Sequence, residues 1–226
     1  MRTRAIISLL VAATALIAAA SSSAAVDNLY FPLKPGTTWV YQGMREDQST
    51  RDVITVTRRT VVIQGVRCTV VHDNLYVTGT LQETTDDYYA ADEQGNVRYC
   101  GEDTQELDEH GKVVTTEGTW RAGVDGAQSG IIMLAQPSVG QSYREEFYPD
   151  HAEDQASIRN MSMPVSVPFG TFANGLQTQN FTRLEPDVIE RKIYVPNVGL
   201  VHEEDVKGGS DSSDLVSMTL DPGGDD

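Results

Sequence analysis

The sequence predicts an all-β fold: an antiparallel, strongly curved sheet, an open barrel or a sandwich. Three observations carry that expectation. Apolar residues alternate with polar ones along most of the chain, as at Ile54, Val56 and then Val61, Ile63, and a period of two is the pattern of a strand with one buried face. Clusters of Gly, Pro, Asn and Asp separate these runs and supply the backbone conformations of tight reversals. Helical spacing is nearly absent after residue 25; the exception is Asp150–Ile158, DHAEDQASI, which can form a helical turn or two.

The elements follow in order. Pro32 and Pro35 exclude a helix at the start, Gly36 turns the chain, and Thr37–Tyr41 enters a strand rich in β-branched and aromatic residues. Val53–Gln64 alternates until Gly65 breaks it. Val66–His72 is the next strand, Asp73-Asn74 reads as a turn pair, and Leu75–Glu83 continues after it. Asp86–Asp103, DDYYAADEQGNVRYCGED, is the clearest hairpin, with Tyr88 and Tyr89 in one arm, Asp92–Asn96 as the turn, and Val97, Tyr99 and Cys100 in the other. Val113–Arg121 reads as a strand containing Trp120, with Gly118 marking a bulge. Ala122–Gln136, punctuated by Gly123, Gly126 and Gly130, is a linker or crossover candidate. Ser162–Phe172 follows with Pro168 forcing an edge or a bend, then strands at Leu176–Phe181, Val188–Val195, Gly199–Val206 and Leu215–Leu220.

Residues 1–25 read as an export signal rather than as part of the fold. Arg2 and Arg4 precede the apolar run Ile6–Ala20, and Ser23-Ala24-Ala25 fits a small-x-small cleavage site. One domain is expected over residues 26–220, with residues 221–226 as an acidic, disordered tail. Two related halves, 29–128 and 136–220, are one reading of that domain. Pro137–Tyr143 echoes Pro35–Trp39, and Ile193–Asp205, IYVPNVGLVHEED, is a shorter counterpart of the aromatic hairpin.

The whole chain carries a net charge of −16, and loss of the leader leaves fifteen basic against 33 acidic residues, or −18. Such a surface repels phosphate backbones and anionic lipids, which argues against nucleic-acid and membrane-surface binding, and the apolar run Ile6–Ala20 is short for a spanning helix, which argues against stable membrane insertion. It favours solubility and attracts cations. The only two cysteines, Cys68 and Cys100, form an even set in a chain read as exported, so a disulfide is expected, worth roughly 3–4 kcal/mol on the chain-entropy account. Two buried thiols on neighbouring strands are the alternative.

The opening Pro32-Leu33-x-x-Gly36-x-x-Trp39-x-Tyr41 and the closing Tyr194-x-Pro196-x-Val198-Gly199-Leu200-Val201 resemble signatures of exported bacterial β-rich proteins of unassigned function. The resemblance covers both ends of the chain well and the middle loosely. It implies strand entry and a hairpin, not chemistry. In architecture the chain is similar to the curved sheets of periplasmic lipid carriers, although it lacks the lipidated cysteine many of them have.

Catalytic signatures are missing. There is no Gly-x-Ser-x-Gly elbow, HExxH, P-loop or CxxC. Of four histidines, His151 stands out, with Glu146, Asp150, Glu153 and Asp154 around it; His202 heads a second acidic stretch. Carboxylates with imidazole suit a divalent metal ion, so these six residues are the candidate metal ligands if the two segments meet. Trp39, Tyr41, Tyr88, Tyr99 and Trp120 are the candidate ligand-binding aromatics of a concave face. The expected role is exported, non-enzymatic binding of a small hydrophobic ligand or a cation; the rival is an exported metal-dependent enzyme centred on His151.

Overall fold

The structure, a computed structural model, describes residues 27–223. The export signal and residues 224–226 of the acidic tail lie outside the described residues. The strands are β1 (Thr37–Arg45), β2 (Gln48–Ile63), β3 (Val66–Val77), β4 (Thr80–Ala91), β5 (Val97–Leu107), β6 (Val113–Thr115), β7 (Trp120–Arg121), β8 (Gln128–Met133), β9 (Ser142–Arg144), β10 (Glu146–Phe147), β11 (Asp154–Val167), β12 (Gly170–Thr182), β13 (Ile189–Val195), β14 (Gly199–Lys207) and β15 (Ser212–Leu220). No helix occurs among the described residues, and so none there is long and apolar enough to cross a membrane.

All strands belong to one antiparallel sheet in the order β10-β8-β5-β4-β3-β2-β1-β15-β14-β13-β12-β11-β9, with β6 and β7 added on β5. Two meanders, β1–β5 and β11–β15, are joined along the β1–β15 seam, where Thr37 faces Leu220 and Met44 faces Ser212. The two edge strands, β9 and β10, are consecutive in sequence. The chain therefore steps from one edge of the sheet to the other at Glu145, whose N–H donates to the Asp154 carbonyl at 2.8 Å. That step curls the sheet into a nearly closed barrel.

Turn chemistry fixes the register of the first meander. Glu46-Asp47, Gln64-Gly65 and Thr78-Gly79 all have positive φ at both positions, the conformation of two-residue hairpin loops whose twist matches the flanking strands. The β4–β5 loop is held by Asp92, whose Oδ1 accepts from the N–H groups of Gln94 and Asn96, each at 2.9 Å. At the tip of the β11–β12 hairpin, beside Pro168, the Phe169 N–H donates to the Leu215 carbonyl at 3.0 Å and so folds the hairpin onto β15.

Several expectations need correction. Asp73-Asn74 is not a turn: β3 runs through it and reverses at Thr78-Gly79, so Asp73 lies opposite Ile54 in mid-sheet. Asp150–Ile158 is not helical. It turns at Asp150-His151 and enters β11, where Ala156 and Ile158 are fully buried on alternate positions. Val113–Arg121 is two short strands separated by a turn that contains Gly118, not one bulged strand. The linker candidate holds β8, which pairs with β5 and β10. The acidic tail begins bound, since the Asp221 N–H donates to the Gly36 carbonyl at 2.9 Å.

Candidate functional site

The two motifs quoted from the chain ends meet in space. Trp39 Nε1 donates to the Val198 carbonyl at 2.7 Å, and the Tyr41 hydroxyl donates to the Leu200 carbonyl at 3.0 Å. The segment before β1 is tied across the barrel mouth. Asn28 Nδ2 donates to the Gly95 carbonyl at 2.9 Å, its Oδ1 accepts from the Tyr30 N–H, and the Leu29 carbonyl accepts from the Asn197 N–H at 2.8 Å. Phe31 then lies edge-on to Tyr89, with centroids 5.0 Å apart. The Pro-rich start is thus a strap that cannot pair as a strand and closes an interior space instead.

That space is a cavity of about 180 Å³ between the β1–β4 flank and β13–β14. Its walls are largely apolar and aromatic: Trp39, Tyr41, Ile54, Val56, Tyr89 and Tyr194, with Phe31, Pro32 and Leu33 of the strap. Strand alternation selects them. Val71, Asp73, Asp87 and Tyr89 share the inward side of β3 and β4, while His72, Asp86 and Tyr88 share the other.

Three charged groups also line the cavity: Asp73, Asp87 and Lys192. Burial pushes the Asp87 carboxyl up to about 7, against the hydrogen bond from the Tyr99 hydroxyl at 2.6 Å. Asp73 is raised well above the usual carboxylate range by burial and by its neighbour Asp52, which burial raises as well. The Asp52 and Asp73 carboxyls meet, yet each keeps a buried Oδ1 without a hydrogen-bond partner among the described residues. Glu102, behind Tyr99, is raised to about 8 by burial and the Asp87 charge. Lys192 is different. Burial favours its neutral form, but Glu203 at 3.2 Å and Glu190 at 3.3 Å hold the ammonium charged, with its pKa well above the ordinary value.

The predicted aromatics divide. Trp39 and Tyr41 line the cavity. Tyr99 lies behind the wall, stacked on Tyr89 at 4.8 Å, and Trp120 meets Tyr99 edge-on at 5.3 Å. Tyr88 is on the opposite face, where its hydroxyl donates to Asp103 at 2.8 Å and accepts from Arg121 at 3.2 Å.

The predicted metal ligands do not come together. Glu153 is occupied by Arg183, whose Nε donates to it at 2.6 Å, and this holds its pKa down to about 2. Asp150 also faces Arg183, at 3.4 Å. His151 stacks on Tyr148 at 4.3 Å. Glu146 is buried at the barrel closure and raised to about 8 by desolvation and the nearby Asp154, itself raised by burial. His202 lies on β14 and pairs with Asp214 on β15 at 2.7 Å. Among the described residues no three His, Cys, Asp or Glu side chains converge as a metal ion requires.

Cys68 and Cys100 are both buried and lie thiol to thiol on β3 and β5, unbonded. Their contact lowers the Cys68 thiol and, with burial, pushes the Cys100 thiol up. The structure holds the pair as two buried, unbonded thiols.

Asp73, Asp87, Tyr89, Lys192 and Tyr194 are among the cavity residues that sequence reasoning missed. The available signal was parity: each lies two residues from another inward residue, as Asp87 does from Tyr89 and Lys192 from Tyr194.

No protein-family model matches the chain, and no curated protein matches it. Two solved structures resemble it. One is a candidate exported protein with a YmcC-like fold from Bacteroides fragilis, 14% identical over 85% of this chain and 99% of that one, with a TM-score of 0.48. The other is a candidate lipoprotein from Parabacteroides distasonis, 15% identical over 86% of this chain and 100% of that one, also with a TM-score of 0.48.

Proposed function

We propose that the protein is exported and binds a small, largely apolar ligand inside its barrel. The observation that carries this reading is the strapped cavity of about 180 Å³ walled by Trp39, Tyr41, Tyr89 and Tyr194. A space of that size under aromatic walls is favourable for an apolar solute that leaves water. The leader with Arg2, Arg4 and its apolar run supports export. The test uses 2-phenylethanol as a probe. It is expected to raise the Tm by a few degrees at saturating concentration and to change tryptophan fluorescence through Trp39. Leu200→Trp, which fills the cavity, removes both effects. Native mass spectrometry of protein from the exported fraction is expected to show a bound small molecule. An unchanged Tm with 2-phenylethanol, together with a bare protein mass, overturns the reading.

The paired thiols belong to the same proposal. In an oxidising compartment Cys68 and Cys100 pass two electrons and two protons to a disulfide-bearing oxidant and close a bridge across β4. The exported protein is then expected to weigh two hydrogens less than its reduced form. Its Tm falls on reduction, consistent with roughly 3–4 kcal/mol of chain-entropy stabilisation. Cys68→Ser removes the redox dependence. An intact mass that does not change on reduction excludes the bridge.

A further inference from the structure

Lys192 is the one cationic side chain on the cavity wall, and it is already matched by two carboxylates, Glu190 and Glu203. Asp73 and Asp87 on the facing flank have no cationic partner in the cavity. Asp87 meets neutral phenols, those of Tyr99 and Tyr89, and Asp73 meets another acid, Asp52. Asp73 lines the cavity, and no cation among the described residues neutralises its ionised form there. A buried carboxylate without a cation is costly to ionise, and a ligand that brings the cation offsets that cost. Trp39, Tyr41 and Tyr89 line the same cavity, and aromatic side chains suit a cation as well as an apolar body.

We propose that the cavity recognises a primary amine on a small apolar body, with the ammonium between Asp73 and Asp87 and the body against Trp39, Ile54 and Tyr194. This rests on the binding reading above and names the class of ligand. The proton balance is definite. In the empty cavity burial and mutual repulsion disfavour the charges of both acids, and Asp87 keeps its proton below about pH 7. An ammonium ion pairs with one ionised carboxylate, so a proton leaves as the amine enters. The groups that face Asp73 and Asp87 make the same point from every side. Asp52 on β2, Glu83 on β4 and Glu102 on β5 are acids that resist further ionisation, and Tyr41, Tyr89 and Tyr99 are neutral phenols. Lys192 on β13 is the single cation and is held by Glu203 on β14 and by Glu190. Amine affinity therefore rises as pH increases through about 7, where Asp87 ionises.

The experiment compares 2-phenylethylamine, 2-phenylethanol and 3-phenylpropionate by calorimetry on the mature protein. The amine is expected to bind about tenfold or more tightly than the alcohol at pH 7.5, as a charge-assisted hydrogen bond gives. The carboxylate binds most weakly. Heats in two buffers of different ionisation enthalpy show proton release with the amine at pH 6 and none with the alcohol. Asp73→Asn lowers amine affinity far more than alcohol affinity and so removes the amine preference; Asp87→Asn serves equally if the first variant folds poorly. Alcohol and amine binding with equal affinity overturns the amine assignment while the cavity reading stands. Absence of binding by all three probes overturns both.

Discussion

Between pH 5 and pH 8 the protein is expected to lose stability, with its Tm falling by about 10 °C. Asp87 and Glu145 are raised to about 7, and Glu102 and Glu146 to about 8, chiefly by burial. In the unfolded chain the same groups titrate near 4. Below that value both states hold the protons and nothing is lost. Above it the unfolded chain releases protons that the folded protein keeps, so the unfolded state gains and stability falls until the folded groups also ionise near pH 7–8. One group raised by about three units contributes roughly 4 kcal/mol. The four groups interact and do not add simply, so the value for one is the measure used, and for a chain of this length it corresponds to about 10 °C. Asp52, Asp73, Glu83, Asp154 and Glu203 are raised by burial as well and act in the same direction, whereas the lowered groups act outside the window. Glu153, held at about 2 by Arg183, and Asp86 and Asp92, also lowered, lose their contributions only in acid. Lys192 releases its proton only in alkali. Calorimetric scans in equal ionic strength from pH 4.5 to 8.5 test the slope. Asp87→Asn and Glu145→Gln each flatten it. A Tm that is constant or rising from pH 5 to 8 contradicts the burial of these acids.

The residues show how far sequence reasoning reaches here. Alternation and turn pairs were enough for an all-β chain and for the hairpin at Asp92–Asn96, since both are local properties. The interior site was hidden because it depends on parity across strands. Asp86 and Asp87 are adjacent and chemically identical. One points out to Arg59 and His72, at 2.9 and 2.8 Å, and the other points in to Tyr99. Tyr88 and Tyr89 divide in the same way, Tyr89 lining the cavity and Tyr88 reaching Asp103. The Thr78-Gly79 loop and the bulge at Leu81–Glu83 together decide between them, since a one-residue slip exchanges the faces of the strand beyond it. Asp73-Asn74 looked like a turn because Asp and Asn have the same composition in a loop as on a polar inward position. The strap was visible as a motif but not as a lid, because its contact with Asn197 and Gly95 spans the chain. The closure could not be read at all: β9 and β10 have three and two residues, too few to show a period.

That closure supplies the second large effect, in Gly130→Ala. Gly130 lies on β8 opposite Tyr99, where the chain crosses from β9 to β10. A Cβ at this position would sit 2.2 Å from the Glu145 carbonyl oxygen and 2.5 Å from that of Arg144. Both are backbone atoms, so no side chain can rotate away, and the crossing itself must move. Glu145 is fixed there by Asn180 Nδ2 at 2.8 Å and by its own N–H to Asp154, so displacing it breaks paired groups that are buried. Overpacking of this kind costs about 3 kcal/mol, and urea denaturation is expected to show it with a Tm lowered by roughly 6–12 °C. Gly65→Asn is the control, in a hairpin loop where an added Cβ meets nothing within 4 Å and where Asn tolerates the positive φ; its cost is about 1 kcal/mol or less. At temperatures where Gly130→Ala is still folded, its affinity for 2-phenylethanol is expected to fall as well, because the same crossing holds the two flanks of the cavity together. Equal stability of the two variants would mean that the sheet edges do not meet at Glu145, and the cavity would then be an open groove with no means of retaining a small ligand.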